Sequence, residues 1–330
     1  MLFMWGGSTM GYKLAGYDVV GCCEIDPRMM AVYVSNHHPK YSYNEPIQEF
    51  KKGTFPDELY NLDILDGSPP CSSFSMIGAR EDHWGKEKKF KEGQAMQVLD
   101  TLFFDFIEVV KELQPKVVIA ENVKGLMLGN AISYVRKIYQ GFEDAGYYCQ
   151  HFLCNAKDMG VPQSRERVFF VCLRKDLAEP FLYQKDLFSM VPKIDLVFSE
   201  PTITVGEFAD LKGDEIKGES TRNLWEHRKN GDGGMDDACK RLYGRQSYFG
   251  QRYCYLDKPS PTLTAHKDSV IHFDAPRFTS VYEACNISTF PHDYDFGKEQ
   301  PWYIMGMSVP PVMMAQVASR VYEQWLSKIK

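Results

Sequence analysis

Short apolar runs alternate along the first half of the chain with longer stretches whose apolar positions recur every three or four residues. Val19 to Ile25 reads as a buried strand, and Pro27 then opens a helical stretch to about His37, since proline suits a first helical turn. Leu62 to Leu65 is a second short strand. Ala95 to Leu113 has helical periodicity that Pro115 stops, and Lys116 to Ala120 (KVVIA) is the next strand. Ala131 to Ala145 repeats the helical pattern and ends at Gly146, and Val168 to Leu173 (VFFVCL) is the last strong strand. Buried strands alternating with helices predict an α/β fold, a doubly wound and mostly parallel sheet covered by helices on both faces.

Beyond about Arg174 this rhythm is lost. Gly-rich and acidic stretches such as Asn230 to Asp237, and short strand-like pieces such as Pro261 to Thr264, predict a smaller and less regular second domain. Helical periodicity returns from Pro310 to Ile329. At 330 residues, 44% hydrophobic and 25% charged, the chain exceeds one average domain and has material for a sizeable core. No apolar run approaches the ~20 residues of a membrane span. Met1 to Gly7 is apolar but lacks the basic flank of a secretion signal. Nine cysteines without a C-x-x-C pair argue against a metal site and for reduced, mostly buried thiols, so a cytoplasmic location is expected.

The net charge of −6 offers no general attraction for nucleic acid, so any such contact must come from a local basic surface. Between Cys239 and Tyr255 lie Lys240, Arg241, Arg245 and Arg252 with no acidic residue, interleaved with Tyr243, Tyr248, Phe249, Tyr253 and Tyr255. This composition suits contact with phosphates and bases, and equally a solvated loop with some core aromatics.

Candidate chemistry begins at the N-terminus. Gly6, Gly7 and Gly11 are expected just before a helix ending near Gly16, and Glu24 stands at the tip of the following strand, 18 residues after Gly6. Glycines that let a backbone approach a nucleotide, and an acid that binds ribose hydroxyls ~20 residues on, form such an arrangement for nicotinamide and for S-adenosylmethionine alike. Asp63 to Ser72 then runs from a strand through Gly67 and Ser68 into two prolines and Cys71. The prolines restrict the turn and present Cys71 at the carboxyl end of a strand, a setting for a nucleophile. Glu121 ends the KVVIA strand on the same edge. Arg165 and Arg167, at i and i+2 of an extended segment, point the same way, toward one anionic or carbonyl-rich site. Taken singly, each of these features also fits a buried cysteine, a helix-terminal carboxylate or a solvated charge pair.

Taken together they are specific. Gly67-Ser68-Pro69-Pro70-Cys71, Glu121-Asn122-Val123 and Gln163-x-Arg165-x-Arg167, in that order, resemble the cytosine-5 DNA methyltransferase family. Asn155-Ala156-x-Asp158-x-Gly160-Val161-Pro162-Gln163, the stretch Arg277 to Phe296 with Glu283 and Phe290-Pro291-x-Asp293-Tyr294, and Gly306-x-Ser308-Val309-Pro310-Pro311 are similar to further blocks of that family. The resemblance covers nearly the whole chain. Three positions depart from it: Met4 stands where a glycine is usual, Pro46 where an aspartate is common and Met307 where an asparagine is usual. With so short a first strand, Met4 leads to an expectation of weakened cofactor affinity.

The resemblance implies a Rossmann-like class I methyltransferase domain, residues 1–173 with 303–330, and a target-recognition domain with its hinge, residues 174–302. It implies transfer of a methyl group from S-adenosyl-L-methionine to carbon 5 of a cytosine in a specific double-stranded DNA sequence, with the base flipped out of the helix. Cys71 would add to carbon 6, Glu121 would serve ring nitrogen 3, and Arg165 and Arg167 would stabilise the base carbonyl and the arrangement of Cys71. The implied cofactor residues are Phe3, Gly6, Gly7, Glu24, Ile25, Ile47, Ser68, Pro70, Leu102, Ser308 and Val309. The expected DNA contacts are Ser72, Arg80, Lys240, Arg241, Arg245 and Arg252, and Ser72 to Gln94 resembles the family's mobile loop. A monomer is expected, with no metal and no membrane contact, and with a cognate restriction endonuclease as a candidate partner. A transfer-RNA methyltransferase would share the chemistry, but the long irregular segment after Arg174 favours a reader of DNA sequence. A catalytically impaired DNA-binding relative would not need Cys71, Glu121 and both arginines intact.

Overall fold

A computed structural model describes residues 6–69, 101–128, 132–186, 190–245 and 250–329. Phe3, Met4, Pro70, Cys71, Ser72, Arg80 and the rest of the loop to Gln94 lie outside the described residues.

Helix α1 (Gly7–Leu14) leads to β1 (Gly21–Cys23), α2 (Pro27–His37) and β2 (Tyr41–Tyr43), which pairs in parallel with β1. The single turn α3 (Ile47–Phe50) precedes β3 (Ile64–Gly67). There follow α4 (Leu102–Leu113), β4 (Val117–Val123), α5 (Ile132–Asp144), β5 (Tyr147–Asn155), the two-residue β6 (Gln163–Ser164) and β7 (Glu166–Arg174). The later part holds the hairpin β8 (Leu182–Gln184) and β9 (Met190–Pro192), then α6 (Glu219–Glu226), α7 (Met235–Tyr243), β10 (Arg252–Cys254), β11 (Ser260–Pro261) and β12 (Val270–His272). Helices α8 (Val281–Ser288), α9 (Pro301–Met307) and α10 (Pro311–Gln324) close the chain.

Strands β3, β4, β7 and β5 form one sheet in that order. β3 and β4 are parallel, whereas β7 is antiparallel to both β4 and β5. Three strands therefore run one way and β7 is inserted against them. The sheet is covered on both faces, as the apolar runs predict. Val118, Ala120, Val168, Phe170 and Cys172 join one buried cluster with Phe103 and Phe106 of α4 and Ile138 and Phe142 of α5. The alternate residues Val117, Ile119, Phe169, Val171 and Leu173 join another with Tyr12 of α1 and Met313, Met314, Val317 and Val321 of α10. The last helix thus returns to the sheet, and odd-numbered residues of β4 and β7 look toward it.

Local chemistry sets the element ends. The Asp26 carboxylate accepts from Arg28 N at 2.9 Å with Pro27 in the first turn, which starts α2. Ser280 and Glu283 form a reciprocal capping box that starts α8. One expectation is corrected: Gly7 and Gly11 lie inside α1 rather than before it. The reason is packing. A Cβ on Gly7 would run into Val309 O, and one on Gly11 would lie 2.6 Å from both Met314 Cβ and Pro311 O. The two glycines let α1 and the start of α10 approach to backbone contact. Strand register is also adjusted, since the runs at Val19 and Leu62 become the shorter β1 and the later β3.

Candidate active site

The carboxyl ends of β3 and β4 lie side by side. Gly67 pairs with Ala120. The Asn122 amide donates to Pro69 O at 3.0 Å, which carries the same register past the end of β3. Glu121 is buried on β4, and Arg167 Nε of β7 lies 2.8 Å from its Oε1. Burial lowers the Arg167 guanidinium from its ordinary range, and the Glu121 carboxylate works against that shift. Of the site residues read from the sequence, the structure thus brings together Glu121 and Arg167. Cys71, two residues after Pro69, is outside the described residues.

Arg165 has a different environment. It is only 2% exposed. Nη1 donates to Leu263 O at 3.1 Å, and Nη2 donates to Gly306 O and Ser308 O, each at 2.9 Å. Burial pushes its guanidinium well down, and neighbouring Arg167 adds to that. Gln163 works beside it: its Oε1 accepts from Leu263 N at 3.2 Å and its Nε2 donates to Ile287 O at 3.1 Å. The backbone of Leu263 is thus held on both its donor and its acceptor side, and β6 pairs in parallel with β11 just before it. Arg165, between β6 and β7, and Arg167, on β7, divide the work, one toward main-chain carbonyls and one toward a carboxylate.

At the turn into α1, Gly6 has φ +92° and its missing Cβ faces Tyr294 Oη and His37 Nε2, so only glycine fits there. Glu24 is buried at the end of β1. Its Oε1 accepts from Asp26 N at 2.8 Å, and Asn44 Nδ2 donates to its carbonyl at 2.7 Å. Burial raises its carboxyl to about 7. Ile25 is half-buried, while Ile47 and Leu102 lie within the apolar cluster over β3 and β4. Ser308 and Val309 are buried against Gly7. Ser68 Oγ is buried and has no hydrogen-bond partner.

The basic-aromatic stretch separates into parts. Arg241 is engaged in a fork with Asp232, at 2.7 and 2.6 Å, and donates to His227 O at 2.9 Å. Lys240, Arg245 and Arg252 are exposed. Tyr253 is buried, and Tyr255 stacks on Phe273 at 4.5 Å, so these two aromatics build core. Tyr243 is exposed, and Tyr248 and Phe249 are outside the described residues. A cavity of about 650 Å³, lined by Lys217, Gln251, His266, Lys267 and Trp302 among others, opens on this side and shares no residue with the Glu121–Arg167 pair.

Sequence reasoning missed Tyr12 and Asp66, which are hydrogen-bonded at 3.2 Å beneath α1, and the contacts of His37 and Tyr294 with Gly6. A carboxylate inside a buried strand was the available signal for Asp66. Nothing local marked His37.

The family model of the C-5 cytosine-specific DNA methylases matches residues 4–323. The chain belongs to the C-5 cytosine-specific DNA methylase family. It is an enzyme, a DNA cytosine-5 methyltransferase. Among named relatives, the type II methyltransferase M.NgoPII of Neisseria gonorrhoeae is 26% identical over 96% of this chain and 92% of its own. M.FnuDI of Fusobacterium nucleatum is 27% identical over 98% and 94%. In fold, the chain is similar to a putative DNA modification methyltransferase encoded within an E. coli prophage, with a TM-score of 0.64 and 22% identity over 99% of this chain and 98% of that one. It is also similar to the S. pombe Dnmt2 methyltransferase, with a TM-score of 0.62 and 15% identity over 98% and 96%. The fold class expected from the sequence, a class I methyltransferase, is the one found. Among the described residues no helix is long and apolar enough to cross a membrane.

Proposed function

We propose that this methylase modifies a cytosine within a specific double-stranded DNA sequence, using S-adenosylmethionine, a flipped-out base and a covalent bond to Cys71. The observation that carries the reading is the buried ion pair of Glu121 and Arg167 at the sheet edge where β3 leads toward Cys71. Cytosine carbon 5 is not nucleophilic in the free base. A thiolate of Cys71 adding to carbon 6 forms the S–C6 bond and shifts an electron pair toward carbon 5. Glu121 gives a proton to ring nitrogen 3, which takes up the charge that addition creates. Arg167 orients Glu121 and faces the base carbonyl, while Arg165 fixes the backbone around the site. S-adenosylmethionine supplies the methyl group when bound. A base such as a water then takes the carbon-5 proton, the Cys71 thiolate is expelled, and ring nitrogen 3 returns its proton to the Glu121 carboxylate, which restores the ring.

The cofactor residues fit that group. Glu24 Oε1 is engaged by the Asp26 N–H, and burial holds its carboxyl near 7, as for an acid whose further donors come from a ribose. Gly6 and Gly7 leave the entrance to α1 without side chains, beside Ser308 and Val309. Ile47 and Leu102 supply apolar surface toward the cofactor, and Ile25 lies next to Glu24. Residues 174–302 read the sequence, with Lys240, Arg245 and Arg252 at the DNA, and a restriction endonuclease acting on the same site is the partner that type II relatives suggest.

The test is a duplex carrying 5-fluorocytosine at the target. Fluorine cannot leave as a proton, so a covalent protein–DNA adduct should accumulate, and peptide mapping should place it on Cys71. Cys71→Ser should abolish both methylation and adduct while binding DNA nearly as well as the parent. An adduct on a different cysteine rejects the assignment.

A further inference from the structure

The reaction asks Glu121 to give away a proton, yet in the structure its carboxylate is held in an ion pair by Arg167 Nε. A proton must reach it. Asp66 is placed to deliver one. It pairs with Ile119 across β3 and β4, and Glu121 is two residues further along β4, so the two carboxyl groups lie on the same face of the sheet as diagonal neighbours. Ser68 continues that row. With Gly67 opposite Ala120 and Pro69 O bound by the Asn122 amide, Ser68 comes beside Glu121. The Asp66 side chain is 1% exposed, its Oδ1 accepts from Tyr12 Oη at 3.2 Å, and its Oδ2 has no partner. Ser68 Oγ is likewise buried and unpartnered. Two orphaned polar atoms in one row, leading to the acid of the reaction, need a purpose, because leaving such groups buried and unsatisfied is destabilising.

We infer that Asp66 is the proton store of the active site, holding a proton under α1 and passing it through the Ser68 hydroxyl to Glu121 when the base arrives. Once the Ser68 hydroxyl, hydrogen-bonded to neither carboxyl at rest, turns between them, the step balances: the O–H of Asp66 breaks as Ser68 takes that proton, and the O–H of Ser68 breaks as Glu121 takes the other. Asp66 is left as a carboxylate and Glu121 as a neutral acid. The surroundings keep that proton on Asp66 at rest. Burial raises the Asp66 carboxyl to about 8, the N-terminal ammonium and the Tyr12 hydrogen bond oppose that, and Glu121 adds to it. The titratable groups that interact with it are the N-terminal ammonium, Tyr12 on α1, Tyr33 on α2 and Glu121 on β4. The sequence motif around Cys71 thus contributes a positioning residue as well as a nucleophile.

This inference rests on the role of Glu121 proposed above, and the experiment separates the two. Single-turnover methyl transfer is measured from pH 6 to 9 for the parent, Asp66→Asn, Ser68→Ala, Tyr12→Phe and Glu121→Gln. The parent rate should be level up to about pH 8, where Asp66 loses its proton, and then fall. Asp66→Asn and Ser68→Ala should lose the level region and gain rate steadily as pH is lowered, with a deficit of about 10²-fold at pH 8. Tyr12→Phe removes the bond that lowers the Asp66 carboxyl, so the fall should move to higher pH, which a purely structural role would not produce. Glu121→Gln should be inactive throughout. If Glu121→Gln stays active, the proposed reaction and the proton store fall together. If it is inactive but the Asp66, Ser68 and Tyr12 variants keep the parent's pH profile, only the proton store is overturned. Should Asp66→Asn fail to fold, Ser68→Ala and Tyr12→Phe decide the matter alone.

Discussion

Arg167 Nε and Glu121 Oε1 are 2.8 Å apart across neighbouring antiparallel strands, each side chain nearly out of water. Removing one partner strands the other. Arg167→Ala should therefore lower both methyl transfer, by about 10²-fold or more, and stability, by about 3–5 kcal/mol. Denaturant unfolding alongside single-turnover kinetics checks both. Parent-like kinetics in a folded variant would remove Arg167 from the chemistry.

Glu24 gives a pH-dependent cofactor site. An acid raised to about 7 in the folded protein is largely protonated at pH 6 and ionised at pH 8, and the ionised form is the better acceptor for ribose hydroxyls. S-adenosylmethionine should bind more tightly at pH 8 than at pH 6. Glu24→Ala should lose about 1.5–3 kcal/mol of binding together with the pH dependence. Titration calorimetry at the two values reports both, and an unchanged dissociation constant would contradict the assignment.

Gly7→Ala places a methyl group against Val309 O in the contact of α1 with the start of α10. Overpacking of this kind costs about 1–3 kcal/mol. The melting midpoint should fall and cofactor affinity should fall with it, because Val309 and Gly7 move apart. An unaltered midpoint would mean the two backbones are less tightly seated than described.

The exposed cations of the proposed recognition segment should behave unlike Arg241. Arg241 is occupied by Asp232 and His227 O, so Arg241→Ala should lower the melting midpoint. Arg245→Ala and Arg252→Ala should leave it alone and weaken DNA binding. A base-reading arginine should cost about 1–3 kcal/mol on the preferred site. One that contacts only phosphate should weaken all duplexes alike and flatten the salt dependence. Titrations with target and scrambled duplexes, beside thermal melts, distinguish these outcomes.

Elements with strong periodicity were legible in the sequence. The KVVIA and VFFVCL runs are strands, and α2, α5 and α10 fall where proline, glycine and apolar spacing put them. Strand β5 was not read, because Tyr147 to Asn155 is an edge strand whose mixed burial carries neither a continuous apolar run nor a clean alternation. The reversed direction of β7 was not legible either: residue pattern reports which faces are buried, and says nothing of which way a strand points. In the site, Glu121 and Arg167 came from motifs. That Arg165 binds carbonyls from Leu263, Gly306 and Ser308 depends on partners about a hundred residues away or more, which spacing along one strand does not encode.

Every bond that Gln163 and Arg165 make to residues 263, 287, 306 and 308 ends on a main-chain atom. Such a seam is indifferent to the side chains beyond it. Leu263 and Ile287 lie in the segment proposed to choose the DNA sequence, and on that proposal the segment can diverge between lineages, or be exchanged whole, while the reacting groups keep their places. New specificity becomes a matter of inheritance by module, with the catalytic half as a reusable handle.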